Sequence, residues 1–193
     1  MLSTAVLAQV QFGVKTGANF SFLSEKTVQT GAETDTLKRS DIMAGFLVGA
    51  YANYAFTDMW GAQMEVLYSM QGGKWENGKV IQHYVNIPIL LNVKPIANNP
   101  FSIVVGPQLG IAMARKNTAY TNENIVPNKG YTKPDERFDF SAVLGVQYTF
   151  IEHLSVGLRY NFGLTPSMNM KLMNTKIKGE RNNVLQLSVG WTF

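Results

Sequence analysis

Hydrophobic and polar residues alternate with a period of two through most of this chain. Over residues 11–22 the even positions carry Phe12, Val14, Thr16, Ala18, Phe20 and Phe22, and the odd positions carry Gly13, Lys15, Gly17, Asn19 and Ser21. Successive side chains of a β-strand point to opposite faces, so this alternation predicts a strand with one apolar face and one small or polar face.

Eight segments show this alternation, and all are longer than the roughly 5–6 residues usual for strands of soluble proteins. They are residues 11–22, 41–56, 60–71, 80–94, 101–115, 137–150, 154–164 and 183–193. Polar loops (24–40, 72–79, 116–136 and 166–181) alternate with short turns (57–59, 97–100 and 151–153). An even strand number with such connections is typical of outer-membrane barrels. The chain is therefore predicted to be all-β, an eight-stranded antiparallel up-and-down transmembrane β-barrel with both ends in the periplasm.

The size of the side chains on each face indicates which face looks at lipid. The interior of an eight-stranded barrel is just wide enough to be filled by side chains or to hold one small ligand. The polar face collects the glycines at positions 13, 17, 45, 49, 61, 106, 110, 145, 157, 163 and 190. The opposite face carries bulky Phe, Tyr, Ile and Leu, so we expect that face outside. The alternative is a soluble lipocalin-like ligand binder with the apolar face inside.

Aromatic residues concentrate at the two ends of the predicted strands, as at membrane interfaces. The predicted periplasmic girdle consists of Tyr54, Phe56, Trp60, Phe101, Tyr148, Phe150, Trp191 and Phe193. The predicted outer girdle consists of Phe20, Phe22, Tyr68, Phe138, Phe140, Tyr160 and Phe162.

Four polar residues on the predicted inner face lie at comparable heights above the periplasmic turns: Lys15, Tyr51, Glu65 and Arg159. Buried charges need partners. We therefore expect a polar plug centred on Glu65 and Arg159. The alternative is a proton- or ion-conducting path through the barrel.

Composition and charge narrow the possible functions and leave the predicted fold unchanged. The chain has 193 residues, enough for one domain, no cysteine, two histidines, a net charge of +4 and a mean hydropathy of −0.04. The basic residues mix with acidic ones in loops, so nucleic-acid binding is not expected. Residues 1–8 are predicted to be the remnant of a signal peptide ending at Val6-Leu7-Ala8, with the barrel in 9–193. The alternative is a frayed start of the first strand.

No arrangement of residues indicates catalysis, a metal site or a cofactor. His153 lies beside Glu152 in a predicted turn, and His83 lies on the lipid-facing side near the outer girdle. Neither has a serine and a carboxylate in a recognisable arrangement. Gly72-Gly73-Lys74 lacks the spacing of a phosphate-binding loop. We predict no enzyme activity and no cofactor.

Short motifs resemble the porin-family, PorT-like outer-membrane barrels of Bacteroidetes. They are Gly13-Val14-Lys15-Thr16-Gly17, Asn86-Ile87-Pro88-Ile89-Leu90-Leu91, Val105-Gly106-Pro107-Gln108-Leu109-Gly110 and Arg159-Tyr160-Asn161-Phe162-Gly163-Leu164. The last strand, with Leu185, Leu187, Val189, Trp191 and Phe193, resembles the aromatic-ended strand that the outer-membrane assembly machinery reads. The resemblance implies a location in the outer membrane of a Gram-negative bacterium but no single function.

The function predicted from these observations is that of a structural or interaction barrel. It presents extracellular loops or serves as an accessory subunit of an outer-membrane complex. The expected partners are the lipid bilayer, lipopolysaccharide, the assembly machinery and another envelope protein complex. A narrow porin, transport or secretion-associated barrel is the alternative. Pro88 and Pro107 lie inside predicted strands and lack the N–H of a ladder donor, so a missing pair or a bulge is expected beside them. The alternative is that each proline points its missing N–H at a naturally open position of the ladder.

Overall fold

The structure is a computed structural model. It describes residues 10–24, 26–30, 33–37, 40–75, 78–97, 99–121, 124–127, 138–165, 170–172, 175–178 and 181–193. The predicted signal-peptide remnant, 1–8, lies outside this part of the chain. Within the described ranges, no helix has the length and apolar character needed to cross a membrane.

The described residues form thirteen strands, numbered here in chain order. Eight of them are long: β1 (Val10–Leu23), β4 (Met43–Ala55), β5 (Trp60–Trp75), β6 (Gly78–Val93), β7 (Phe101–Thr121), β9 (Phe138–Ile151), β10 (Leu154–Gly163) and β13 (Asn182–Thr192). Five are short: β2 (Lys26–Thr30), β3 (Glu33–Leu37), β8 (Asn124–Pro127), β11 (Met170–Leu172) and β12 (Thr175–Lys178).

The eight long strands close into a barrel. Their order is β6-β5-β4-β1-β13-β10-β9-β7, and β6 also pairs with β7. All of these pairings are antiparallel. Each long strand neighbours the preceding and the following long strand, and β13 pairs with β1 to close the ring. The predicted eight-stranded up-and-down barrel is confirmed.

The apolar face of the wall lies outside. On β1, Val14 is 48% exposed, whereas the next residue, Lys15, is 3% exposed. The same alternation holds on β10, where Leu158 is exposed and Arg159 is buried. A soluble lipocalin-like barrel would have the opposite arrangement, so that alternative is wrong.

The glycines of the inner face allow neighbouring strands to approach closely, and they also occupy little volume. A Cβ atom added at Gly49 would lie 2.0 Å from the carbonyl oxygen of Val66 on the neighbouring strand. Moreover, the interior is not filled by small and polar residues alone, because Leu90, Val104 and Val143 form a buried apolar cluster.

The outer connections contain more strand than the sequence predicted. Residues 72–79, predicted to be a turn-rich connection, lie largely in β5 and β6, and β7 continues to Thr121. Two predicted loops also contain the short strands of a four-stranded sheet, with the order β11-β12-β2-β3. β-Branched residues such as Val28, paired with Ile177, favour strands. The polar and charged residues that flank these β-branched residues give the segments the composition of loops.

Pairing is interrupted beside both prolines. Between β5 and β6 it reaches Met64↔Ile89 and resumes at Leu67↔Asn86, and Pro88 lies in the gap. Between β6 and β7 it passes from Pro88↔Gln108 to Leu91↔Val105, and Pro107 lies in that gap. The interruptions of pairing expected beside the two prolines are therefore observed.

Candidate functional site

A group of buried charges lies in the middle of the barrel, and we call Lys15, Glu65 and Arg159 the Glu65 cluster. Lys15 Nζ donates to Glu65 Oε1 at 2.5 Å. Arg159 Nη1 donates to both carboxylate oxygens of Glu65 at 2.9 Å. The three residues are 3%, 1% and 2% exposed, in the order Lys15, Glu65, Arg159. The structure thus brings together three of the four residues predicted for the lumen.

Tyr51, the fourth predicted residue, extends the cluster toward the periplasmic end. Its ring lies beneath the ammonium of Lys15, with Nζ 5.1 Å from the ring centroid, a distance at which a cation and an aromatic face attract. Its hydroxyl and the hydroxyl of Thr192 are 2.7 Å apart, within hydrogen-bonding distance. The ring occupies the space beside Gly13, where an added Cβ would lie 2.4 Å from Tyr51 Cζ.

Strand register explains how four strands deliver these side chains to one point. Tyr51 on β4 pairs directly with Glu65 on β5. Lys15 on β1 pairs with Gly49 on one side and Gly190 on the other. Glycine on both flanking strands leaves the long side chain of Lys15 free to cross the interior.

Arg159 on β10 is positioned in the same way. It pairs with Gly145 on β9, where an added Cβ would lie 2.6 Å from Arg159 Cγ. Its Nη2 also reaches Gln147 Oε1 at 3.5 Å, and Gln63 Nε2 donates to Glu65 Oε1 at 2.6 Å. The carboxylate therefore accepts hydrogen bonds from three side chains, which is how a buried charge is stabilised.

A second polar network lies nearer the outer end. Asn19 Nδ2 and Gln71 Nε2 both donate to Ser69 Oγ, at 2.8 and 2.7 Å. Asn182 Nδ2 donates to Gln71 Oε1 at 2.5 Å. We call these four residues the Ser69 network. Sequence reasoning did not single them out, although Asn19, Ser69 and Gln71 fall on the glycine-bearing face, and that placement was the available signal.

Below the Glu65 cluster, the barrel opens into a cavity of about 490 Å³ at the periplasmic end. Its lining includes the 57–59 turn, Glu152 and His153 from the 151–153 turn, and Lys94. Gln147 and Thr192 also line it. These two residues contact Arg159 and Tyr51, so the cavity ends at the Glu65 cluster.

The predicted aromatic girdles lie on the outer surface. The periplasmic set is exposed throughout, and Tyr54 and Tyr148 contact Phe56 and Phe150 edge to face, with ring centroids 5.1 and 4.8 Å apart. In the outer set Phe22 and Tyr160 are half-buried, and the other members are exposed.

Both histidines contact aromatic rings at the membrane interface. His83 Nδ1 and the Tyr68 hydroxyl are 2.6 Å apart, and the two rings stack. His153 Nδ1 lies 2.8 Å from the carbonyl oxygen of Thr192, and its ring stacks on Trp191. In the ranges that the structure covers, no group of three or more His, Asp and Glu side chains could hold a metal ion.

Three solved structures similar to this chain are those of NspA, Ail and OprG. Neisserial surface protein A (NspA) is 13% identical, with a TM-score of 0.54 over 94% of this chain and 97% of that chain. Ail, the attachment invasion locus protein of Yersinia pestis, is 13% identical, with a TM-score of 0.47 over 96% and 99%. OprG of Pseudomonas aeruginosa is 13% identical, with a TM-score of 0.47 over 96% and 97%. At such low identity the likeness to NspA shows the fold alone. No curated protein sequence matches the chain.

The family assignment rests on sequence as well as on fold. The family model described as outer membrane protein beta-barrel domain matches residues 5–169, most of the chain. Together with the closed barrel and its apolar outer face, this match places the protein in the outer membrane of a Gram-negative bacterium. The chain belongs to the outer membrane protein beta-barrel domain family.

Proposed function

We propose that this protein is a closed, non-enzymatic barrel that acts as an interaction protein, presenting its outer strands and loops to other components of the cell envelope. The observation that supports this proposal is the filled interior. The Ser69 network, the apolar cluster of Leu90, Val104 and Val143, and the Glu65 cluster all occupy the lumen. Small barrels filled in this way lack an aqueous channel.

The outer sheet is the structure best suited to contact a partner. β2 follows β1 and β12 precedes β13, so their pairing prolongs the β1–β13 seam beyond the barrel wall. Hydrogen bonds between Ser24 and Arg181, with N–O distances of 2.9 Å in both directions, join the two parts. A paired sheet positions binding residues more firmly than an irregular loop does.

Charge suggests two kinds of partner for this sheet. One edge strand, β3, carries Glu33 and Asp35, whereas β11 and β12 carry Lys171, Lys176 and Lys178. The basic strands suit the anionic groups of lipopolysaccharide, and the acidic edge suits a basic patch on another envelope protein complex. We further propose that the assembly machinery reads the last strand, whose residues Leu185, Leu187, Val189, Trp191 and Phe193 all face outward.

Two measurements test the proposal together. In planar bilayers the purified protein should show no stable conductance steps. In native membranes, crosslinking should capture a specific partner or lipopolysaccharide, and replacing residues 26–37 and 170–178 with short turns should abolish the capture. The matched control shortens residues 122–136, which follow β7 in the chain and precede β9, and should keep the capture. Conductance steps, or capture that survives the first variant, would contradict the proposal.

The alternative, a transport or secretion-associated barrel, draws support from the periplasmic cavity. We also propose, on the four motifs quoted above, that the chain belongs to the PorT-like group. This finer assignment would favour the secretion-associated alternative. Deleting the gene in the native bacterium separates the two readings. A general secretion defect with a silent bilayer recording would favour the secretion-associated role, and unchanged secretion would favour the interaction role.

A further inference from the structure

The Glu65 cluster carries more positive than negative charge. Lys15 and Arg159 each contribute a positive charge, and Glu65 contributes one negative charge. Among the buried side chains of the described residues, Glu65 is the only carboxylate. One positive charge in the middle of the barrel thus lacks an anionic partner, and a buried charge requires compensation.

Two buried donors beside the cluster have no partner in the protein. The Nη1 and Nη2 atoms of Arg159 face Glu65 and Gln147, which leaves Arg159 Nε unpaired. The second is Gln186 Nε2, on a side chain that is 3% exposed. Arg159 and Gln186 pair directly across β10 and β13, and both point inward. The Cβ atoms at directly paired positions lie about 4.5–5.5 Å apart, so the two unpaired donors belong to neighbouring side chains.

The periplasmic cavity ends one side chain away from this point. Gln147 lines the cavity and contacts Arg159, so only one side-chain layer separates them. The charged residues around the cavity are of both signs: Lys94 on one hand, and Asp58 and Glu152 on the other. The cavity, about 490 Å³ in volume, is much larger than a monatomic ion. Selection would therefore occur at the donors and not at the mouth.

We propose that the barrel binds one small monovalent anion, of the halide class, between Arg159 Nε and Gln186 Nε2, reached from the periplasm. The anion neutralises the excess charge of the Glu65 cluster and accepts both hydrogen bonds. It completes the plug without requiring a second buried carboxylate. The inference concerns the interior alone and stands whether or not the outer sheet binds a partner.

Bromide is the probe, because its anomalous scattering distinguishes it from water in a crystal. Crystals of the refolded full chain grown in bromide should show an anomalous peak within hydrogen-bonding distance of Arg159 Nε. In detergent solution, the wild-type protein should broaden the chloride-35 resonance, and bromide should compete for the same site. Gln186→Leu removes one donor and keeps the Glu65 cluster, so it should weaken bromide competition by at least about tenfold.

Lys94→Gln is the matched control, since it removes a positive charge at the cavity mouth and leaves both donors in place. Its bromide affinity should stay within about twofold of the wild-type value, because Lys94 is half-buried at the solvent-accessible cavity mouth and salt screens its charge. A water molecule at Arg159 Nε, bromide only on the outer surface, or equal affinities for the wild-type protein and the Gln186→Leu variant would each overturn the proposal.

Discussion

The two faces of the barrel wall place different demands on the residues that occupy them. On the outer face, residues such as Val14 and Leu158 contact lipid and need only be apolar. Inside, Lys15, Glu65 and Arg159 each require a particular partner at a particular distance. The comparison teaches that the outer face determines where the protein resides, whereas the inner face determines whether the lumen is plugged. Substitutions should therefore follow a composition rule outside and a pairing rule inside.

The largest effect is expected at Glu65, the acceptor shared by two cations. Glu65→Ala leaves both Lys15 and Arg159 without a carboxylate, and losing one partner of a buried pair costs roughly 3–5 kcal/mol. Urea unfolding in lipid vesicles should give this loss. Glu152→Ala, in an exposed turn, should change the free energy of unfolding by less than about 0.5 kcal/mol. Equal losses in the two variants would break the comparison between partnered and unpartnered carboxylates.

A charge on the outer face should cost nearly as much, for a different reason. Val146→Arg places a cation in lipid near the middle of β9, at roughly 2–4 kcal/mol. Thr149→Arg is the control, because Thr149 lines the water-accessible cavity on the inner face of the same strand. Its cost should be well under half of that for Val146→Arg in the same vesicle assay. The reverse order would mean that the faces are wrongly assigned.

Two glycines of the inner face sharpen the comparison within the lumen. Gly13→Ala brings a methyl group against the Tyr51 ring and the Trp191 carbonyl oxygen, each 2.4 Å from the added Cβ. Overpacking of this kind costs roughly 1–3 kcal/mol. At Gly157 the nearest atom is Ser188 Oγ, at 3.2 Å, so Gly157→Ala should cost less than Gly13→Ala. Similar unfolding free energies would show that Tyr51 is not held beside Gly13.

The smallest effect concerns one hydroxyl. Tyr51→Phe removes the interaction with Thr192 Oγ1, worth about 1 kcal/mol, and keeps the ring beneath Lys15. Tyr148→Phe, in the exposed periplasmic girdle, tests the same chemical change outside. We expect a destabilisation for Tyr51→Phe that exceeds the one for Tyr148→Phe. Thermal unfolding followed by gel mobility measures both, and a larger effect at Tyr148 would contradict the pairing rule.

Much of the wall could be predicted from sequence because an up-and-down barrel converts position along each strand directly into height. For this reason the sequence alone predicts that Lys15, Tyr51, Glu65 and Arg159 lie at one height in the lumen. The Ser69 network was not predicted, since two of its three hydrogen bonds join residues 50 and 111 positions apart and depend on which rotamers meet.

The short strands of the outer sheet were not predicted from the sequence, for a different physical reason. β2 and β12 gain their stability from pairing with each other, and they lie far apart in the chain. Each of these two strands is short and largely polar and shows no strong alternation of apolar and polar residues. Its sequence alone therefore resembles that of a loop. Long-range pairing of this kind leaves little trace in a single sequence.

The most direct test of the closed interior is a double-mutant cycle on Glu65 and Arg159, measured by urea unfolding in vesicles. Because Arg159 Nη1 contacts both oxygens of Glu65, the account predicts that the double variant loses less stability than the sum of the single variants. The difference should be roughly 0.5–3 kcal/mol. Simple additivity within the error of the measurement would mean that the two side chains do not meet, and would contradict the plug.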